Sequence, residues 1–155
     1  MSNTTASVLT DLILETFRLN GRLLAVGDAL VADIGLTSAR WQVLGAIALA
    51  PSPLPVAHIA RNMGLTRQAV QRLVNEMQDG GLVGFKANPH HQRAKLVSLT
   101  IRGKRAFDAA MKRQGPWARG VVDGLSAKQI EAAVITLRTV RQRLNRAVER
   151  VDSDD

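Results

Sequence analysis

A chain of 155 residues with 46% hydrophobic residues is long enough for one domain with a buried core and too apolar for a disordered tail. It contains no cysteine, which excludes disulfides, thiolate zinc sites and thiol-based redox sensing. Its net charge is +8, from 21 Lys and Arg against 13 Asp and Glu.

The N-terminus is polar, and the apolar residues from Val8 to Ile34 are interrupted by Asp11, Glu15, Arg18, Arg22, Asp28 and Asp33. Neither a secretory signal nor a membrane span is expected, and the chain reads as cytoplasmic. In the same stretch Val8, Leu9, Leu12, Ile13, Phe17, Leu23, Leu24, Leu30 and Val31 recur at roughly helical spacing. This predicts a long amphipathic helix with Gly21 and Gly27 as weak points. A second helix is expected from about Ser38 through Trp41, Val43, Leu44, Ile47 and Ala48, where Pro51, Pro53 and Pro55 stop it and form a stiff connector.

From Val56 to Met63, apolar Val56, Ile59, Ala60 and Met63 fall at i, i+3, i+4 and i+7, one face of a two-turn helix that Gly64 ends. Thr66 is a good N-cap for the next helix, with inward face Ala69, Val70, Leu73, Val74 and Met77 and a stop at Gly80 and Gly81. The outward face carries Arg67, Gln68, Gln71, Arg72 and Asn75. Arg pairs bidentately with guanine, Gln and Asn pair with adenine, and a capped helix start brings backbone N–H groups towards a phosphate. A polar face alone describes any solvated helix; the short helix and three-residue turn before it supply the spacing of a helix-turn-helix.

Leu82, Val83, Phe85 and Lys86 then read as a strand, Asn88 and Pro89 open a loop, and Lys95 to Leu99 return as a second strand. A hairpin after a recognition helix is a wing, and Arg93 on its loop is placed to enter a minor groove. Charge agrees: between Val56 and Arg105 stand Arg61, Arg67, Arg72, Lys86, Arg93, Lys95, Arg102, Lys104 and Arg105 against Glu76 and Asp79. Nine bases less two acids leave +7 of the chain's +8 in this section, where a polyanion would bind.

A further helix is expected from about Ile101 to Val122, strained near Gly115 and Pro116. Ser126 and Gln129 form a capping box for a last helix running to about Val151. Its apolar residues Ile130, Ala133, Val134, Leu137, Val140, Leu144, Ala147, Val148 and Val151 approximate a heptad stripe. With the N-terminal helix, this stripe argues for a two-fold helical interface, hence a homodimer with its recognition helices about 34 Å apart, one DNA turn.

The segment from Leu36 to Leu44 (LTSARWQVL), then Ile59-Ala60, Gly64 to Val70 (GLTRQAV), Gly80 to Val83 and Arg93 to Thr100 (RAKLVSLT) followed by Gly103, resembles the MarR family of winged helix-turn-helix transcription regulators. The resemblance runs in order from about Leu36 to Gly103, with the flanking helices matched by pattern. It implies a mainly α fold with a small β wing: one MarR-type domain over 1–155, with a winged helix-turn-helix DNA-binding lobe at 36–103. A helical dimerisation region would comprise 5–35 and 104–151. It also implies a homodimer on a palindromic operator of double-stranded DNA, usually a repressor released by a small molecule. Its DNA-binding roles fall on Thr66, Arg67, Gln68, Gln71, Arg72 and Arg93, to which the outward face adds Asn75 and the wing Lys95.

Three positions depart from that family's pattern. His91 stands where an acid commonly holds the wing arginine, so the resemblance predicts a wing less firmly held. Pro55 stands where Ser or Thr often caps the first DNA-domain helix, so proline at the first turn must replace the cap. His58 stands where an acid is frequent. The family's ligand pocket lies between the dimer helices and the DNA-binding lobe, often for aromatic acids or phenols; Arg22, Trp41 and His58, one cation and two rings, are the candidate lining.

No cofactor is implied. Adjacent His90 and His91 cannot easily share one metal ion, and no cluster of acids or cysteines accompanies them. An enzyme would need a nucleophile and base or a carboxylate pair in a cleft, and no such constellation is visible. The rival reading is a non-specific architectural DNA-binding or RNA-binding protein without ligand response. RNA platforms display stacking aromatics, whereas this chain has no Tyr and only Phe85 in its middle section.

Overall fold

The computed structural model describes residues 4–153, with side chains through residue 146. The chain divides into two compact units, Met1–Gly115 and Pro116–Asp155. The fold is mainly helical with one small antiparallel sheet, as the sequence predicts.

The first helix, α1 (Thr5–Val31), starts at Thr4, whose hydroxyl accepts the Ser7 amide at 3.2 Å. It runs unbroken through both glycines, and Gly27 is a docking point rather than a weak one. Gly27 is buried, and a Cβ there would overlap the Ser38 hydroxyl. With no side chain in the way, Ser38, the first residue of α2 (Ser38–Ala48), donates its hydroxyl to the Leu24 carbonyl at 2.7 Å. Its amide donates to the Asp28 carboxylate at 2.6 Å. Between the helices a 3₁₀ turn, Ala32–Ile34, carries Asp33, which accepts from the Arg113 guanidinium. That hydrogen bond holds the Asp33 carboxyl below its ordinary range.

The proline connector after α2 contains a strand that periodicity could not show. Leu54–Pro55 (β1) pairs antiparallel with Val97 and Leu96. Two residues are too few for an alternation signal, and their pairing partners lie 43 and 41 residues further along the chain. Proline is tolerated there because β1 is an edge strand. Pro55 is then the N-cap of α3 (Val56–Met63) rather than its first helical residue, and it gives no side-chain cap. Gly64 closes α3 at φ 66, a left-handed conformation that Gly adopts without a Cβ penalty.

The next helix, α4 (Arg67–Asp79), leads to β2 (Val83–Lys86) and β3 (Leu96–Leu99), and the sheet order is β1-β3-β2. Val83 pairs with Leu99 and Phe85 with Val97. Leu82 and Lys95 flank the strands rather than belonging to them. The core gathers Val43 and Leu44 of α2, Ile59 of α3, Val70, Val74 and Met77 of α4 and Val97 of β3, all essentially without exposure. Each contributes about 1.5–3 kcal/mol by leaving water.

Helix α5 (Ile101–Val121) is continuous through Gly115 and Pro116, so the proline does not end it; the division between the two units falls at that dipeptide. Its first turns are seated by close approach. Gly103 is buried, a Cβ there would overlap the Leu82 carbonyl oxygen, and Thr100 donates its hydroxyl to the Gly81 carbonyl at 2.6 Å. In the second unit, α6 (Ala127–Ser153) opens with the expected capping box. The Gln129 amide donates to Ser126 Oγ at 3.2 Å, and the Ser126 amide donates to Gln129 Oε1 at 2.9 Å. Ile130, Val134, Leu137 and Leu144 of its stripe are exposed, whereas the side chains of Ala147, Val148 and Val151 lie outside the described residues. No described helix is long and apolar enough to cross a membrane.

Candidate nucleic-acid interface

Helix α4 is seated before it is decorated. Thr66 takes an extended conformation and its hydroxyl accepts the Ala69 amide at 3.2 Å, so this predicted site residue is the N-cap. The amides of Arg67 and Gln68 fall among the first N–H groups of the helix, which have no partner within it. Val70, Val74 and Met77 anchor the inner side, 0%, 0% and 1% exposed. Helical periodicity then turns Arg67, Gln68, Arg72 and Asn75 fully outward and leaves Gln71 half-buried between them.

Two grooves flank that outward face. On one side, Arg67, Gln71 and Asn75 meet Arg93 and Lys95 from the loop between β2 and β3, across a groove floored by the start of α3 and by Phe85. On the other, Gln68 and Arg72 line a groove with Glu76 and Asp79. The predicted DNA-facing residues are therefore contiguous, but only five of the eight share the wing-side groove. Its charged lining is wholly cationic: Arg67, Arg93 and Lys95. Among the described residues none of these three forms an ion pair.

Three features of the site were not read from the sequence. Arg40 of α2 reaches Glu76 at 3.4 Å, offsetting one of the two acids of the middle section beside the recognition face. The pair is half-exposed, so it contributes little stability, but it lowers the negative potential there. Gln71 donates its amide to Asn75 Oδ1 at 2.9 Å, which pre-arranges two outward amides one turn apart. Asn88 ties the wing loop: its Nδ2 donates to the Ala94 carbonyl at 2.9 Å and its Oδ1 accepts the His90 amide at 3.0 Å. The i,i+4 spacing of Gln71 and Asn75 and the Asn-Pro turn signal were visible; the Arg40 contact, 36 residues away in sequence, was not.

The three ligand candidates are not gathered. Arg22 on α1 and His58 on α3 are exposed, and Trp41 on α2 is half-buried against the core. None lines either groove, nor the third cavity, between α2 and α3 around Leu49 and Met63.

A family model, MarR family, matches residues 34–94, which span the end of the 3₁₀ turn before α2 to the wing loop. An uncharacterized protein of Mycobacterium tuberculosis is 33% identical over 127 residues, covering 82% of this chain and 87% of its own length. The chain belongs to the MarR family. It is thus a DNA-binding transcription regulator of a non-enzymatic family. The chain is also similar to the transcriptional activatory protein BadR of Rhodopseudomonas palustris, 29% identical over 84 residues, which are 53% of this chain and 48% of BadR. The MarR fold itself is shared with CouR from Rhodococcus jostii RHA1 bound to p-coumaroyl-CoA, at TM-score 0.75 and 24% identity over 84% of this chain and 91% of CouR. It is shared too with the M. tuberculosis regulator MosR in complex with DNA, at TM-score 0.72 and 21% identity over 85% and 96%.

Proposed function

We propose that this regulator is a cytoplasmic homodimeric repressor that reads a near-palindromic operator and is released by a small organic ligand. The observation that carries the DNA part is the contiguous polar and cationic face of α4 with its wing-side groove, free of carboxylates. In this reading Arg67, Gln68, Gln71, Arg72 and Asn75 meet base edges and neighbouring phosphates in the major groove. Thr66 fixes the helix start against the backbone, and Arg93 and Lys95 hold the flanking strand. MosR, of the same fold, in complex with DNA supports it.

Dimerisation is supported separately in each unit. Along α1, Val8, Leu9, Ile13, Leu14, Phe17 and Leu23 are exposed, Phe17 by 72%; along α6, Leu144 is exposed by 61%. Apolar faces of this extent on helical segments 5–35 and 104–151 are what a second copy would cover. Monomeric sedimentation at micromolar concentration would remove the dimer and with it the palindrome.

The effector of this reading is an aromatic acid or phenol, and because Arg22, Trp41 and His58 line none of the three cavities of the single chain, its pocket would be completed by the second copy. CouR, of the same fold and bound to p-coumaroyl-CoA, supports an organic effector. BadR, an activatory protein, makes activation the second reading. Occupancy alone does not set the sign; a promoter–reporter measured with and without the regulator does.

The deciding experiment is genome-wide footprinting followed by variant affinities on the recovered site and on a random duplex. Arg72→Ala or Gln71→Ala should lower discrimination among operator variants by about 1–3 kcal/mol, whereas Lys95→Ala should weaken every duplex alike and reduce the salt slope by about one. Equal losses on both duplexes for all three variants would exclude direct readout by α4.

A further inference from the structure

His91 lines the wing-side groove with Arg67, Arg93 and Lys95. Its backbone is pinned on both sides, the amide donating to the Asn88 carbonyl at 3.3 Å and the carbonyl accepting from the Ala94 amide at 3.1 Å. Among the described residues its imidazole has no hydrogen-bond partner, and the ring is exposed. The charged groups facing the same space are Arg67 from α4 and Arg93 and Lys95 from the loop; α3 and β2 add only apolar residues, and no carboxylate is present. A polyanion entering that space adds the only negative charge, and it favours the doubly protonated ring by Coulomb attraction and by a charge-assisted hydrogen bond. Histidine is the side chain whose charge ordinarily changes between about pH 5 and 8.

We infer that His91 is a further phosphate-contacting residue of the groove, engaged as the imidazolium, so that each wing takes up a proton when the protein binds DNA. The consequence is a regulator whose grip on DNA tightens as the pH falls. His90, its neighbour, does not line the groove and has no part in this. The inference rests on DNA entering the wing-side groove, and the experiment separates the two.

The test uses the full chain, a labelled duplex enriched by the wild type from a random library at neutral pH, and an unrelated duplex of equal length, at constant ionic strength. From about pH 8 to pH 6 the wild type should tighten about sixfold per wing on both duplexes, the effect of a one-unit rise in proton affinity. His91→Gln should lose this increment and, at the lower pH, one unit of salt slope per wing. His91→Lys should bind tightly across the range without the response, and His90→Gln should keep it. A response that survives in His91→Gln, disappears in His90→Gln, or appears on the enriched duplex alone overturns the assignment. If Lys95→Ala binds as well as wild type, the groove reading fails first and takes this inference with it.

Discussion

Helix α4 and the loop between β2 and β3 line one groove from opposite sides, yet they are held by different means. The helix is fixed by side chains with almost no exposure, Val70, Val74 and Met77, and by a capped start at Thr66. The loop has no buried side chain between Lys86 and Lys95; its own hydrogen bonds run through Asn88 and between the His91 and Ala94 backbones. The difference suits the proposed division of labour. Reading a base edge needs a side chain held to a fraction of an ångström, which packing supplies. Reaching a phosphate tolerates a tethered loop, because the attraction is broad and long-ranged.

The comparison can be broken at its rigid end first. Met77→Ala should cost about 2–5 kcal/mol in denaturant unfolding, since it empties a fully enclosed site, while Arg93→Ala should leave stability within about 0.5 kcal/mol. Equal costs would mean that the loop is as integral to the core as the helix. Gly103→Ala comes next, at about 1–3 kcal/mol, because the new methyl must displace the Leu82 backbone at the base of the wing. Asn88→Ala should cost only about 0.5–1.5 kcal/mol overall. Its sharper signature is faster amide exchange at His90 and Ala94 with unchanged protection in α4.

The smallest effect is an ion pair outside both regions, between the 3₁₀ turn and α5. Asp33, its carboxyl lowered by the Arg113 hydrogen bond, contributes stability that is present above the ordinary value of 3.8 and is lost as the pH falls through the lower folded-state value. The difference in melting temperature between wild type and Asp33→Asn should therefore be flat at neutral pH and close only below about pH 4. A difference that closes nearer neutrality would implicate another group.

Much of the site was legible because it is local. Capping at Thr66, the two-sided periodicity of α4 and the Asn-Pro turn each follow from a few adjacent residues, and the ordered motifs from Leu36 to Gly103 carried the family. The histidine that stands at position 91 in place of the family's usual acid before Arg93 was also readable. Asn88 as the substitute tie was not, since a turn signal does not say which carbonyl across the loop its amide meets.

By itself the sequence determined the helices, the helix-turn-helix, the hairpin and the concentration of positive charge between Val56 and Arg105, because periodicity, caps and composition act over short separations. Tertiary structure alone decided what depends on distant residues meeting: Gly27 as the seat of Ser38, Leu54–Pro55 as an edge strand against Val97, and Arg40 offsetting Glu76. It also decided which residues of the recognition face meet the wing across one groove, with His91 in the same groove. Those arrangements follow from helix packing and strand pairing across tens of residues, and no local pattern encodes the distance.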